Sequence, residues 1–140
     1  MSGCALMTER ELVDSFEACT LPNDRFHHRD HLHVVWAYLR EMPMLQALER
    51  FSNALQRFAT HHGKPTLYHE TITWAYVALV HERMQRRVGQ SWDDFCRDNP
   101  DLLEWRPSIL DRYYRSETLQ SPLARRVFIL PDIGTSTPTI

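Results

Sequence analysis

The sequence is short of the residues that mark several protein classes. It contains only four glycines and three cysteines among 140 residues, and its net charge is −2. Three widely spaced cysteines, Cys4, Cys19 and Cys96, are typical of reduced thiols and not of a disulfide framework. The near balance of charge provides no general attraction to nucleic acid or to an anionic membrane. These features argue against a disulfide-stapled secreted domain and against a basic nucleic-acid-binding protein.

Long hydrophobic runs are also missing. The sequence has no stretch of about 18 or more apolar residues, the length that spans a bilayer. Residues 1–6 have neither the charged start nor the apolar core of a signal peptide. Apolar residues make up 43% and charged residues 24% of the chain, as in ordinary globular proteins. We therefore expect a cytoplasmic protein without a membrane partner.

The alternation of apolar and polar residues that marks β-strands is almost absent, so the sequence predicts an all-α fold. We expect residues 1–133 to form one domain, an antiparallel helical bundle with short C-terminal helices, and residues 134–140 to form a flexible tail. The apolar periodicity predicts helices at about 8–19, 26–42, 43–62, 67–88, 92–98, 108–115 and 121–128.

Signals at the ends of these helices support the assignment. Thr8 and Glu11 have the spacing of a capping box. Pro43 suits the first position of the third helix, and Gly63 suits its C-terminal end. The connections between the second, third and fourth helices are short, which predicts that these helices are antiparallel neighbours.

Helical-wheel positions place several histidines on apolar faces. His28 and His31 share the inward face of the second helix near its start, one turn apart. His62 continues the apolar stripe at the end of the third helix, and His69 lies on the inward face at the start of the fourth. An antiparallel arrangement brings all four to one end of the bundle. His33, His61 and His81 point outward and should be exposed.

Neutral imidazoles are common ligands of transition metals. Several inward histidines could not all be charged without repulsion, so a metal ion is one way to satisfy them. We predict a site formed by His28, His31 and His69, with His62 as a further candidate ligand, for Zn, Fe, Mn, Ni or Cu. Three ligands would leave an open position, as in catalytic sites. A hydrogen-bonded core network is the alternative for the same residues.

Other polar side chains adjoin the histidines on the fourth helix. Thr73, Tyr76 and Arg83 are the nearest inward groups that could contact a substrate. Glu70 lies at the flank of the same helix and is counted with them as a candidate catalytic residue. Asp30 points away from the predicted cluster, where it could orient an imidazole N–H group.

The segments that contain these histidines also resemble those of other proteins. Residues 28–32 with Trp36, residues 68–73, and Tyr113 with Tyr114 resemble a family of small, uncharacterised bacterial helical proteins, over about residues 25–133. The resemblance implies a compact helical domain and brings no activity with it. The three-histidine plan is similar in architecture to the DinB/YfiT-like metal-binding bundles.

The sequence thus favours a metal-dependent enzyme acting on a small-molecule substrate, with metal-assisted hydrolysis or addition ahead of oxidation. The alternative is a non-enzymatic module that senses a metal or ligand, or a helical interaction domain with a buried histidine network. A DNA-binding protein is disfavoured because no helix has a one-sided basic stripe. The sequence is also compatible with a homodimer.

Overall fold

The structure is a computed structural model that describes residues 7–133, and α-helices together with short 3₁₀ segments account for 69% of them. No strand occurs in this part of the chain, which confirms the predicted all-α fold. Short 3₁₀ turns at Asn23–Arg25, Pro65–Leu67 and Ile109–Arg112 connect some of the helices. The predicted tail at 134–140 lies outside the described residues. The helices are α1 Glu9–Glu17, α2 His28–Glu41, α3 Met44–His61, α4 Glu70–Arg86, α5 Trp92–Asp98, α6 Pro100–Leu103, α7 Ser116–Leu119 and α8 Pro122–Arg126.

The predicted cap of α1 is confirmed. The backbone N–H of Glu11 donates to the Thr8 hydroxyl at 3.0 Å, and the Thr8 N–H donates to the Glu11 carboxylate at 3.0 Å. Gly63 follows the last turn of α3 with φ +75°, a left-handed conformation that favours glycine. Pro43 directly precedes α3, one position before the place predicted for it.

The second and fourth helices begin later than predicted. A 3₁₀ turn and an extended residue, Phe26, come before α2, which starts at His28. A second 3₁₀ turn occupies 65–67, and α4 starts only at Glu70, where the His69 side chain caps it. Histidine is not a usual N-cap residue, so the sequence pattern did not indicate this start.

The core lies between α2, α3 and α4, which contact one another, with α1 against α2 and α3 and with α8 against α4. Residues 34–38 of α2 are all buried, because helices pack on more than one side of it. Phe16 of α1 is fully buried and stacks on Phe26 with ring centroids 4.6 Å apart. None of the helices in residues 7–133 has the length and apolarity required to cross a membrane.

Candidate ligand-binding site

A cavity of about 660 Å³ lies where the first turn of α2, the last turn of α3 and the first turn of α4 meet. His28, His31, His62 and His69 all line it. These are the histidines that the sequence placed at one end of the bundle. The cavity therefore brings together, around one space, the side chains from which the site was predicted.

Most of the cavity wall is apolar. The charged side chains that line it are Arg29 and Lys64, both basic, and within residues 7–133 the wall includes no aspartate or glutamate. Such a wall favours a ligand with a large apolar surface. Apolar and aromatic lining residues are Leu32, Val35, Phe51, Leu55, Phe58, Leu67, Ile72, Leu103 and Trp105.

His28 is half-buried, and its Nε2 lies 2.9 Å from the backbone oxygen of Leu102. A carbonyl oxygen only accepts, so Nε2 carries the hydrogen and Nδ1 is the nitrogen with the lone pair in the neutral ring. Burial lowers the pKa of His28, and the Leu102 carbonyl acts in the opposite direction. The ring lies beside Tyr76 and Trp105, with centroid distances of 4.9 and 5.0 Å.

His31 lies one turn further along α2, with its ring stacked on Phe26 at 4.0 Å. Burial lowers its pKa to about 3, and repulsion from His28 adds to the shift, whereas the Phe26 carbonyl acts against it. His31 is thus neutral at pH 7. The sequence predicted that both histidines of α2 would be largely inaccessible; each is half-buried and keeps some exposed surface at the cavity.

His69 is buried, with 7% of its surface exposed. Its Nε2 donates to the Leu119 carbonyl at 2.6 Å, and its Nδ1 accepts from the Ile72 N–H at 3.1 Å. Burial lowers its pKa, and the Leu119 carbonyl opposes that shift. Both ring nitrogens are therefore occupied. In this arrangement His69 stabilises the start of α4 and has no lone pair left for a metal ion.

His62 closes α3 and is half-buried, with Nε2 3.2 Å from the Leu21 carbonyl oxygen. Its ring also packs against Phe58 at 4.5 Å. His62 thus connects the end of α3 to the loop after α1. Like His28, it forms a hydrogen bond from one ring nitrogen to a backbone carbonyl.

The candidate polar residues of α4 fall in different places. Thr73 and Tyr76 line the cavity; Thr73 donates to the His69 carbonyl at 2.8 Å, and the Tyr76 hydroxyl lies 2.9 Å from Ser108 Oγ. Glu70 is not a lining residue. Its carboxylate accepts from the Tyr68 hydroxyl at 2.6 Å, so it reaches the cavity only through Tyr68, which lines it.

Arg83 does not line the cavity. Its guanidinium donates two hydrogen bonds of 3.0 Å to the Asp101 carboxylate and one of 2.8 Å to Asn99. These bonds hold α6 against α4. Because α6 carries Leu102 and is followed by Trp105, Arg83 supports one wall of the cavity and does not face a ligand.

The predicted exposure of the remaining histidines is only partly correct. His61 is exposed, but His33 and His81 are half-buried. His33 stacks on Trp92 at 4.2 Å and lies 3.0 Å from a carboxylate oxygen of Glu9. α5 and α1 cover this side of α2, which a wheel of α2 alone does not reveal. Asp30 accepts from the His27 backbone N–H at 3.0 Å.

The predicted metal set does not fit the arrangement of these side chains. Within residues 7–133, no three histidine, cysteine, aspartate or glutamate side chains are grouped so that they could hold a metal ion together. For His69 the reason is visible, since a helix cap and a carbonyl already take its two nitrogens. Metal binding stays a prediction.

Two residues that line the cavity, Tyr68 and Trp105, were not among the predicted site residues. Tyr68 precedes His69, and burial together with the Glu70 carboxylate raises its pKa to about 12. Trp105 comes from the loop after α6 and lies against His28. Its position depends on the fold of residues 99–110, for which periodicity gives no guide.

Comparison with known proteins does not assign a function to this cavity. No protein-family model matches the chain, and neither a curated protein nor a solved structure matches it.

Proposed function

We propose that the protein binds a small, predominantly apolar molecule in the cavity between α2, α3 and α4. The observation that carries the proposal is the cavity itself, about 660 Å³ in volume and walled by apolar side chains with a few polar groups between them. Ligand sites in proteins have this size and this composition. The proposal corresponds to the ligand-sensing alternative that the sequence left open.

The arrangement of the histidines supports the proposal. His28, His62 and His69 each donate to a backbone carbonyl, those of Leu102, Leu21 and Leu119 respectively, which fixes their rings in the wall. Rings held in this way are already ordered before a ligand enters, so that binding does not have to order them.

An uncharged fluorescent probe tests this proposal. We expect N-phenyl-1-naphthylamine to bind saturably, with an increase in its emission. Ala59 lines the cavity from α3, so Ala59→Trp should fill part of the space and weaken binding at least about tenfold, or about 1.4 kcal/mol. Thr60→Trp is the matched control, because the exposed Thr60 is the next residue and is not a lining residue.

Circular dichroism should show the same helix content for both variants. If Ala59→Trp does not fold, Ile72→Trp obstructs the cavity from α4. Absence of saturable binding, or equal binding by the Ala59 and Thr60 variants, would contradict the proposal.

Metal-assisted hydrolysis or addition is the second candidate. The cavity that His28, His31 and His62 line could hold its substrate, although within residues 7–133 these side chains are not grouped so that they hold a metal ion together. Recruiting His69 as predicted would require the ring to give up the Ile72 N–H or to exchange its proton at Leu119. A metal titration, described below, separates the two candidates.

A further inference from the structure

The unused hydrogen-bonding capacity of the cavity wall indicates what kind of molecule would fit. His28 donates from Nε2 to Leu102, and its Nδ1 has no hydrogen-bond partner within residues 7–133. Among the described side chains, Gln90 has the one nitrogen or oxygen atom that is both sealed from solvent and unpartnered. The free Nδ1 of His28 is therefore accessible, on a ring that lines the cavity.

We infer that the ligand is an uncharged aromatic molecule that donates a hydrogen bond, from a hydroxyl or N–H group, to Nδ1 of His28. This inference rests on the proposed function and makes it more specific. A nitrogen lone pair in an apolar wall is satisfied by a donor and is left unpaired by a purely apolar group, at a cost in affinity. His62 also keeps its Nδ1 free within the described part of the chain. Of these two rings only His28 lies beside both Tyr76 and Trp105, so we assign the specificity to His28.

The walls account for the aromatic part. Phe51 and Phe58 of α3 line the cavity from one helix, and Tyr76 of α4 and Trp105 line it beside His28. Aromatic side chains favour offset or edge-to-face contacts with another ring. A flat aromatic body next to His28 would meet such partners on more than one side.

The charges of the wall argue against an ionic ligand. A cation would find no carboxylate among the described lining residues to offset its loss of hydration. An anion in the cavity would lack a cationic partner close to it. The Arg29 guanidinium lies over the Trp92 ring, 5.8 Å from its centroid, and Trp92 does not line the cavity. Lys64 is exposed. A lone pair on Nδ1 would also repel an anion.

A series of naphthalene derivatives tests the inference, since the apolar body stays constant while the polar group changes. Displacement of N-phenyl-1-naphthylamine would rank 2-naphthol, 2-methoxynaphthalene, 2-naphthoate and 2-naphthylmethylammonium. We expect 2-naphthol to bind about five- to tenfold more tightly than 2-methoxynaphthalene, which lacks the donor. Both ions should bind more weakly than 2-naphthol.

Variants of His28 assign this preference to one nitrogen. His28→Phe keeps a ring but removes Nδ1, so the ratio of the 2-naphthol and 2-methoxynaphthalene affinities should fall to about one. His28→Lys can still donate to Leu102 and carries no acceptor, so it serves if the phenylalanine variant does not fold, and it should also lower the ratio. His61→Phe is the matched control, because His61 is exposed and lies outside the cavity.

Equal affinities for 2-naphthol and 2-methoxynaphthalene, or tightest binding of either ion, would overturn the inference. If N-phenyl-1-naphthylamine still binds and Ala59→Trp still blocks it, the proposed function survives that result. If the probe itself does not bind, the proposed function fails and the inference fails with it.

Discussion

Nε2 of His69 lies 2.6 Å from the backbone oxygen of Leu119, a residue 50 positions later in the chain. This hydrogen bond ties the start of α4 to the end of α7. Because Nδ1 of the same ring caps α4 through the Ile72 N–H, one side chain stabilises both a helix start and a long-range contact. The geometry thus gives His69 a structural role beside the cavity.

Loss of this side chain should lower stability. We expect His69→Ala to reduce the free energy of unfolding by about 2 kcal/mol, the sum of an N-cap and a hydrogen bond. His69→Asn should lose about half as much, since asparagine is a good N-cap but is too short to reproduce the Leu119 contact. Urea denaturation measures both, with exposed His61→Ala as the control. A His69→Ala protein as stable as the control would refute the assigned role.

The ion pair between Arg83 and Asp101 should set part of the stability at acid pH. Hydrogen bonds from Arg83 lower the pKa of Asp101 to about 2, and Arg112 contributes. The unfolded carboxyl titrates near pH 4. The folded state therefore binds fewer protons, so this stabilisation is complete above about pH 4 and is lost as the pH falls toward 2.

Asp101→Asn should remove that dependence, at a cost of about 1 kcal/mol at pH 7. Unfolding free energies measured between about pH 4 and 2 should then fall less steeply than in the wild-type protein. Arg10→Met, which removes an exposed pair with Asp14, is the control. An unchanged pH profile in Asp101→Asn would be inconsistent with the ion pair.

His31 should make the fold sensitive to milder acid. Its pKa is lowered from 6.5 to about 3 by burial, so the unfolded chain binds the proton more readily than the folded one. Stability should be highest above about pH 6.5 and should decline toward pH 3, with a slope of up to about 1.4 kcal/mol per pH unit. His31→Phe should flatten this decline, and exposed His61→Phe should not. Parallel profiles for the two variants would show that His31 is not the responsible group.

A metal titration decides between the two candidate functions. Protein prepared without an affinity tag and dialysed against a chelator should show no rise in melting temperature on addition of Zn²⁺, if the cavity serves an uncharged ligand. A metal-dependent enzyme would instead bind about one ion per chain and lose it in His28→Ala, His31→Ala and His69→Ala. His33→Ala should have no effect in either case, since His33 does not line the cavity.

The positions of the histidines were predictable because they depend on the periodicity of each helix and on the short connections between the helices. Periodicity placed His28 and His31 on the inward face of α2, and the short connection between α3 and α4 keeps His62 and His69 at the same end of the bundle. The hydrogen-bond partners of these rings were not predictable. Leu102 and Leu119 belong to the irregular region after α5, where short helices and turns alternate and no periodicity fixes which carbonyl meets which imidazole.

The same limitation explains the residues whose surroundings differed from expectation. Arg83 lies on the predicted side of α4, but the partner that turns it away from the cavity, Asp101, comes from α6. His33 points outward from the centre of the bundle and is nevertheless covered by Trp92 of α5. Helical wheels describe one helix at a time, whereas these environments depend on which element packs over it.

Measuring which ring nitrogen of His28 carries the proton is the most direct test of the proposed ligand recognition. A long-range ¹H–¹⁵N NMR spectrum of the histidine side chains at pH 7 should show His28 and His69 as neutral rings protonated at Nε2. Addition of 2-naphthol should shift the Nδ1 resonance of His28 and leave both nitrogens of His61 unchanged. A His28 ring protonated at Nδ1, or an Nδ1 resonance that does not respond to 2-naphthol, would contradict the proposed recognition of an uncharged hydrogen-bond donor in this cavity.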